Sequence, residues 1–259
     1  MSGNNLQPLF SIIVPVYNDS KVIGATLKKI EAEVPLLNLG PYEIIVADDG
    51  SRDETCKTVE TFIQKNNVQH IRLIHHEKNY GKGFSVGQGM LAAKGDYCFF
   101  TDSDLSTPLQ YLKGFLEALK SGADVAIASR FLRDSKIVVE RPLLLRVLSF
   151  CERLLIWTLS GLRFSDTQCG FKGFKKEAAR KIFGSQKIHR FCFDVEALFL
   201  AKKLGYKIKV LPVDWYHDKD TRVRKRDMLI FVRDLLRIRW FWFKDALQSW
   251  RGGGDGTRK

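Results

Sequence analysis

Asp102 and Asp104 stand one residue apart at the end of an apolar run, Tyr97 to Phe100. An apolar run of that length reads as a buried strand. Two carboxylates on the turn that follows it lie where α/β proteins bind ligands, outside the carboxyl ends of a parallel sheet. Two hard oxygen ligands on a short turn suit Mg²⁺ or Mn²⁺, ions that keep waters and share the rest of their shell with phosphates. The competing reading is a loop aspartate capping the next helix near Thr107-Pro108.

Two further strand ends carry the same kind of chemistry. One reads Val14-Pro15-Val16-Tyr17-Asn18-Asp19 and the other Asp48-Asp49-Gly50-Ser51. Tyr17 is placed to flank a base, and Asp48 to accept from a base N–H. Each motif alone is equally readable as a turn with a helix cap. Together they gather acid at one edge, and that repulsion calls for a cation or hydrogen-bond donors to offset it. Lys82, between Gly81 and Gly83, is within reach of a phosphate, although Gly-x-Gly is not a P-loop. Asp194 and Glu196 supply either a base or contacts to sugar hydroxyls; the alternative is an acid pair favoured at a helix N-terminus.

The elements that must hold these residues follow from periodicity. Strands are expected at Phe10–Val16, Glu43–Ala47, Ile71–Ile74, Tyr97–Thr101 and Ala123–Ala128. Helices are expected at Val22–Val34, Asp53–Gln64, Gly81–Ala93 and Pro108–Lys120, the last with proline in its first turn. This alternation predicts βαβ units, hence an α/β fold with a Rossmann-like, mostly parallel sheet flanked by helices. The second half is less regular. Helices are expected at Arg141–Leu162, Asp194–Leu204 and Asp227–Trp250, and short strands at Cys169–Phe174 and Tyr206–Pro212.

Val14-Pro15-Val16-Tyr17-Asn18, Ala47-Asp48-Asp49-Gly50-Ser51 and Thr101-Asp102-Ser103-Asp104, in this order and spacing, resemble the family 2 glycosyltransferases with a GT-A fold. The resemblance covers residues 10 to roughly 215. His75 to Gly83, Ala128-Ser129-Arg130 and Asp166-Thr167-Gln168-Cys169-Gly170-Phe171-Lys172 narrow it to the polyprenyl-phosphate sugar transferases, and most of all to the dolichyl-phosphate β-glucosyltransferases. The resemblance implies an inverting, metal-dependent hexosyltransferase. It implies a nucleotide-sugar donor, UDP-glucose first and GDP-mannose as an alternative, with a polyprenyl or dolichyl phosphate acceptor or else a non-lipid one. Pro15, Tyr17, Asn18, Asp19, Asp48, Lys82, Asp102 and Ser103 would line the donor site, Asp19 standing where Glu is usual. Asp102 and Asp104 would hold Mg²⁺ or Mn²⁺. Ser106 stands where relatives often carry Gln, which leaves the third metal ligand unassigned. Arg130 and Arg146 would grip the acceptor phosphate, and Asp102, Asp104 and Arg130 would form the catalytic set. A Gln-x-x-Arg-Trp motif of polymerising members is broken here, with Leu236 before Arg239-Trp240.

Bulk properties agree with an anionic partner. The 259 residues carry a net charge of +13 at 45% apolar content. Nucleic acid is disfavoured, because the cations are interleaved with aliphatic and aromatic residues on long helices and no recognised binding motif is present. The five cysteines lack any CxxC and read as reduced and buried. No apolar stretch reaches the length of about 18 needed to span a bilayer. Residues 141–162 instead pattern as a helix lying in the headgroup layer, and 216–250 as a basic, amphipathic membrane-associating segment that includes Arg222-Val223-Arg224-Lys225-Arg226. The expected plan is a disordered 1–9, a catalytic domain over 10–215, this segment, and a disordered 251–259. It implies a peripheral enzyme on the cytoplasmic face of a membrane, with room for a membrane-spanning partner subunit.

Overall fold

Strands with no polar face must be covered on both sides, and the first of them, β1 (Phe10–Val16), is buried at every position. The computed structural model describes residues 7–138, 143–216 and 229–241, without the side chains of 143–148. β1 pairs in parallel with β2 (Tyr42–Asp48) and β4 (Tyr97–Thr101), and β2 with β3 (Ile71–His75). Beyond β4 lie β6 (Phe171–Lys175), β5 (Val125–Ser129) and β7 (Ile208–Pro212), giving seven strands in the order β3-β2-β1-β4-β6-β5-β7. β6 runs antiparallel to both neighbours, while β5 and β7 pair in parallel.

The two-residue repeat of each strand divides the core. Ile13, Ile45 and Phe100 face one layer, with α3 (Lys82–Ala92), α6 (Lys176–Gly184), α7 (Phe193–Lys203) and part of α5 (Leu143–Ser160). Phe231, Leu235 and Ile238 of the final helix, residues 229–241, join that layer. Ile12, Val14, Ile44, Val46 and Phe99 face the other layer, with α1 (Ile23–Glu33), α2 (Thr55–Asn66) and α4 (Tyr111–Lys120).

Two expectations are corrected and one element is added. α4 begins at Tyr111, not Pro108, because the Pro108 and Leu109 carbonyls first accept the N–H groups of Tyr111 and Leu112 in a tighter turn. α6 was not anticipated; its outer face is charged and Ala178, Ala179, Ile182 and Phe183 alone seat it. The cysteines divide, with Cys98, Cys169 and Cys192 buried, Cys56 half-buried and Cys151 exposed. Arg222 to Arg226, residues 242–250 and both chain ends lie outside the described residues.

At the N-terminal edge of the sheet, opposite the aspartates, Glu43 is buried and ties four segments. It accepts from Ser11 Oγ (2.7 Å), the Lys94 N–H (2.6 Å), and Arg72 Nε and Nη2 (3.1 and 2.8 Å). Burial alone would raise its pKa; the Lys94, Ser11 and Arg72 bonds outweigh it and hold the carboxyl below its ordinary 4.5. A depressed pKa stabilises the fold above the ordinary value and loses that contribution as pH falls through the folded one. Glu43→Gln is expected to lower unfolding free energy by about 1–3 kcal/mol at pH 7. In urea titrations the gap to the parent should shrink as pH is lowered below 4.5; a gap independent of pH would refute the assignment.

Candidate active site

The loops after β1, β2 and β4 are sewn to one another by their own polar groups. Asn18 adopts a left-handed backbone (φ 52°), its N–H reaching Ser51 Oγ (2.8 Å) and its Oδ1 accepting from the Arg52 N–H (2.9 Å). The Asp19 N–H bonds Thr55 Oγ1 (2.8 Å), and Asp19 Oδ2 accepts from Ser103 Oγ (2.9 Å). Ser103 in turn offers its carbonyl to Thr26 Oγ1. Asn18, Asp19 and Ser103, expected as donor contacts, thus fix the shape of the crevice, with Pro15 buried in β1 and Tyr17 at its rim.

Asp48 is fully buried. Its Oδ2 accepts from the N–H groups of Gly50 (3.1 Å) and Ser51 (3.0 Å) and pairs with His75 Nδ1 (2.8 Å). Its Oδ1 is buried with no donor among the described residues. A buried acceptor left open is costly until a donor arrives, and a base N–H is such a donor. Asp49 faces the other way and receives the N–H groups of Tyr80 (2.8 Å) and Gly81 (2.9 Å). The turn that follows them needs Gly50, whose φ of +72° no L side chain adopts readily and whose missing Cβ leaves room for the Lys78 backbone.

Asp102 is ion-paired with Lys82, brought by the first turn of α3. Asp104 accepts the Ser106 N–H (2.9 Å); burial, with Asp102 alongside, raises its pKa. Burial works against the Lys82 ammonium, but Asp102 and Asp194 outweigh it and keep it protonated. Asp194 pairs with Lys172 Nζ (2.6 Å), a lysine with no exposure at all, and burial raises the Asp194 pKa despite that partner. The pair Asp102 and Asp104 offers hard oxygens only, and Asp104 lies beside a second carboxylate and accepts one backbone N–H. Both features fit a divalent Mg²⁺ or Mn²⁺.

Arg130, following β5, is clamped by Asp166, with Nε to Oδ2 at 2.7 Å and Nη2 to Oδ1 at 3.0 Å. Its guanidinium lies over the rings of Trp215 (5.2 Å) and Phe131 (5.5 Å). Burial would raise the Asp166 pKa; Arg130 outweighs it and holds the carboxyl low. Arg146 is on α5, but its side chain lies outside the described residues. Glu196 is removed from the expected sugar-binding pair: it is fully buried, and its two oxygens accept the N–H groups of Lys187 and Ile188. A cleft of about 710 Å³ lies between the end of α1 with the turn after it (Lys29, Leu36) and the loop that carries Asp104, Ser106 and Gln110, with Tyr216.

A profile described as "Glycosyl transferase family 2" matches residues 11–183. The chain belongs to this family. It is 34% identical over 251 residues, 93% of this chain and 76% of the relative, to a dolichyl-phosphate β-glucosyltransferase from Dictyostelium discoideum. The human dolichyl-phosphate β-glucosyltransferase is 31% identical, with 88% of this chain and 74% of that protein covered. Among solved structures, glucosyl-3-phosphoglycerate synthase from Mycobacterium tuberculosis, with Mn²⁺, UDP and its product, superposes with a TM-score of 0.63 at 18% identity over 90% of this chain and 78% of that one. A mannosyltransferase from Pyrobaculum calidifontis with GDP-mannose and Mn²⁺ gives 0.56 at 20%, covering 84% and 59%. These likenesses establish the GT-A-like fold.

In this family 2 glycosyltransferase one short segment, residues 166–172, reaches Arg130, Asp102 and Asp194. Asp166 clamps Arg130, Gly170 packs on Asp102, the Cys169 carbonyl receives Lys172 Nζ (2.7 Å), and Lys172 holds Asp194. The sequence displayed the segment as a motif without showing these tasks. A lone lysine between Phe171 and Gly173 in a buried strand was the readable signal for an internal ion pair. A Cβ at Gly170 would land on the Asp102 carboxylate. Gly170→Ala is therefore expected to leave the circular dichroism spectrum unchanged while weakening Mn²⁺-dependent UDP binding about tenfold. Equal affinity by calorimetry would show that Asp102 does not need this approach.

Proposed function

We propose that the chain transfers a hexosyl group, with glucose from UDP-glucose as the first donor, to the phosphate of a polyprenyl or dolichyl phosphate. The observation that carries this reading is the 166–172 segment, which joins the Asp102/Asp104 pair to Arg130 within one rigid turn. A metal-phosphate half and an acceptor-phosphate half are thereby held at fixed separation. The similarity to dolichyl-phosphate β-glucosyltransferases over about nine-tenths of the chain supports the choice of donor and acceptor.

The chemistry asks little of a general base. A phosphate monoester is already an anion near neutral pH, so an acceptor oxygen attacks the anomeric carbon directly. The bond from that carbon to the diphosphate oxygen breaks, and in-line attack turns an α-linked donor into a β-linked product. Arg130 suits the acceptor because its planar fork matches phosphate oxygens, and Asp166 fixes the plane of that fork. Lys82 sits beside Asp102, where a donor phosphate would displace it from its carboxylate partner. A divalent metal on Asp102 and Asp104 would supply charge neutralisation to the departing diphosphate. Asp48 would take the base N–H on its open oxygen, and Asp194 the sugar hydroxyls.

The acceptor's lipid chain needs an apolar surface. Phe150, Leu154 and Trp157 form an exposed stripe on α5, 42–58% accessible. Leu229, Val232, Leu236 and Trp240 form a second on the final helix, beside Arg233 and Arg237. Among the described residues no helix is long and apolar enough to cross a membrane. We infer in-plane attachment through these stripes, at the cytoplasmic face, with cations meeting headgroups.

Purified protein with Mn²⁺, polyprenyl phosphate in detergent and a panel of labelled UDP- and GDP-sugars tests the reading directly. Label from UDP-glucose is expected in the organic phase; label from none of the donors, with UDP still bound, would refute a lipid acceptor. Asp104→Asn should lower turnover at least about a hundredfold without changing the fold. Arg130→Lys retains the charge but not the fork, and should raise the KM for lipid phosphate about tenfold with UDP affinity unaltered. Equal loss of both would place Arg130 on the donor instead.

A further inference from the structure

We propose that Asp48, Cys56 and His75 form a second metal site, selective for a borderline-soft cation such as Zn²⁺, whose occupation withdraws Asp48 from the donor. The three residues come from consecutive elements: the end of β2, the first turn of α2 and the end of β3. Their candidate ligand atoms all lie within 4.8 Å of one another. Cys56 Sγ is 3.3 Å from His75 Nδ1, which is 2.8 Å from Asp48 Oδ2. Ligand atoms on a tetrahedral zinc stand about 3.3–3.5 Å apart, given bonds of about 2.0 Å to N and O and 2.3 Å to S. The observed spacings therefore need only small adjustments to admit the ion.

A second observation points the same way. Asp48 has no exposure, and its Oδ1 meets no donor among the described residues. The carboxylate thus retains an unused acceptor in a place closed to water, and a cation satisfies it as fully as a hydrogen bond would. The cluster is open on the other side: the His75 side chain is about half exposed, leaving an entry path and a fourth position for water.

Ligand type separates this site from the Asp102/Asp104 pair. Thiolate with imidazole favours Zn²⁺ or Co²⁺, whereas carboxylates alone favour Mg²⁺ or Mn²⁺. On binding, the Cys56 thiol proton leaves to solvent, His75 carries its hydrogen on Nε2, and the Nδ1 lone pair and one Asp48 oxygen turn to the metal. An ion drawn to the open Oδ1 takes the same oxygen that is proposed for the base N–H, so the ion and the nucleotide compete. The site stands without the donor reading; the competition rests on it.

The test uses the full chain, reduced and metal-free. Titration with Co²⁺ should produce a thiolate-to-cobalt charge-transfer band saturating at about one equivalent and abolished by Zn²⁺. Cys56→Ser should lose the band yet keep Mn²⁺-dependent UDP binding, and should need about tenfold more Zn²⁺ to halve that binding. Cys56→Ala provides the same comparison should the serine variant fold poorly. No band in the parent protein, or a band that persists in both variants, would overturn the site. Equal Zn²⁺ sensitivity of parent and variants would move the inhibition to Asp102 and Asp104 and overturn the competition. A band in a protein that binds no UDP would uphold the site and refute the donor reading instead.

Discussion

Crowded negative charge at one edge of a sheet is the constraint on which this molecule turns. Asp48, Asp49, Asp102, Asp104, Asp166 and Asp194 surround a single crevice, and each buried carboxylate must be answered. Backbone N–H groups answer Asp49, and Lys82, Arg130 and Lys172 answer Asp102, Asp166 and Asp194. Asp104 receives one backbone N–H at Ser106, and burial with Asp102 alongside raises its pKa. Two places are left less fully answered among the described residues, Asp104 and the Oδ1 of Asp48. A net charge of +13 in the sequence sums two unlike populations: internal cations committed to these aspartates, and external ones exposed on the helices.

The internal cations explain why residues 166–172 dominate the architecture. A segment that must supply Asp166 to one loop, a close glycine to a second and Lys172 to a helix has little freedom in length or path. Its strand, β6, enters the sheet between β4 and β5 and runs antiparallel to both. Rigid pairing on both sides of β6 then transmits that precision to the crevice.

Much of this was legible beforehand. β1 and β4 lie at the residues expected, because a strand buried on both faces leaves an uninterrupted apolar run whose limits are plain. The carboxylates after β1, β2 and β4 could be assigned to one edge because parallel strands bring their C-terminal ends together. The direction of β6 was not legible, since the pentapeptide Phe-Lys-Gly-Phe-Lys carries no mark of strand sense. α6 was hidden by its lysines and arginine, which occupy its outer face while four residues do the packing. Glu196 misled because an acid in the first turn of a helix suits the dipole, a bound sugar and a neighbouring loop equally well; only the position of Lys187 and Ile188 decides. Cys56 and His75 are 19 residues apart and meet only when β3 lies alongside β2. No local spacing announces them.

The central place of β6 also sets an order on biogenesis. β1 to β4 are complete in a chain of about a hundred residues, yet β4 keeps an unpaired edge until Lys175 has been made, because β5 arrives first and has no partner in common with it except β6. A nascent chain of intermediate length therefore carries an open, apolar sheet edge, the kind of surface that attracts chaperones and other unfinished chains. The strand that covers the β4 edge arrives together with Asp166 and Lys172, while β7 and Asp194 follow.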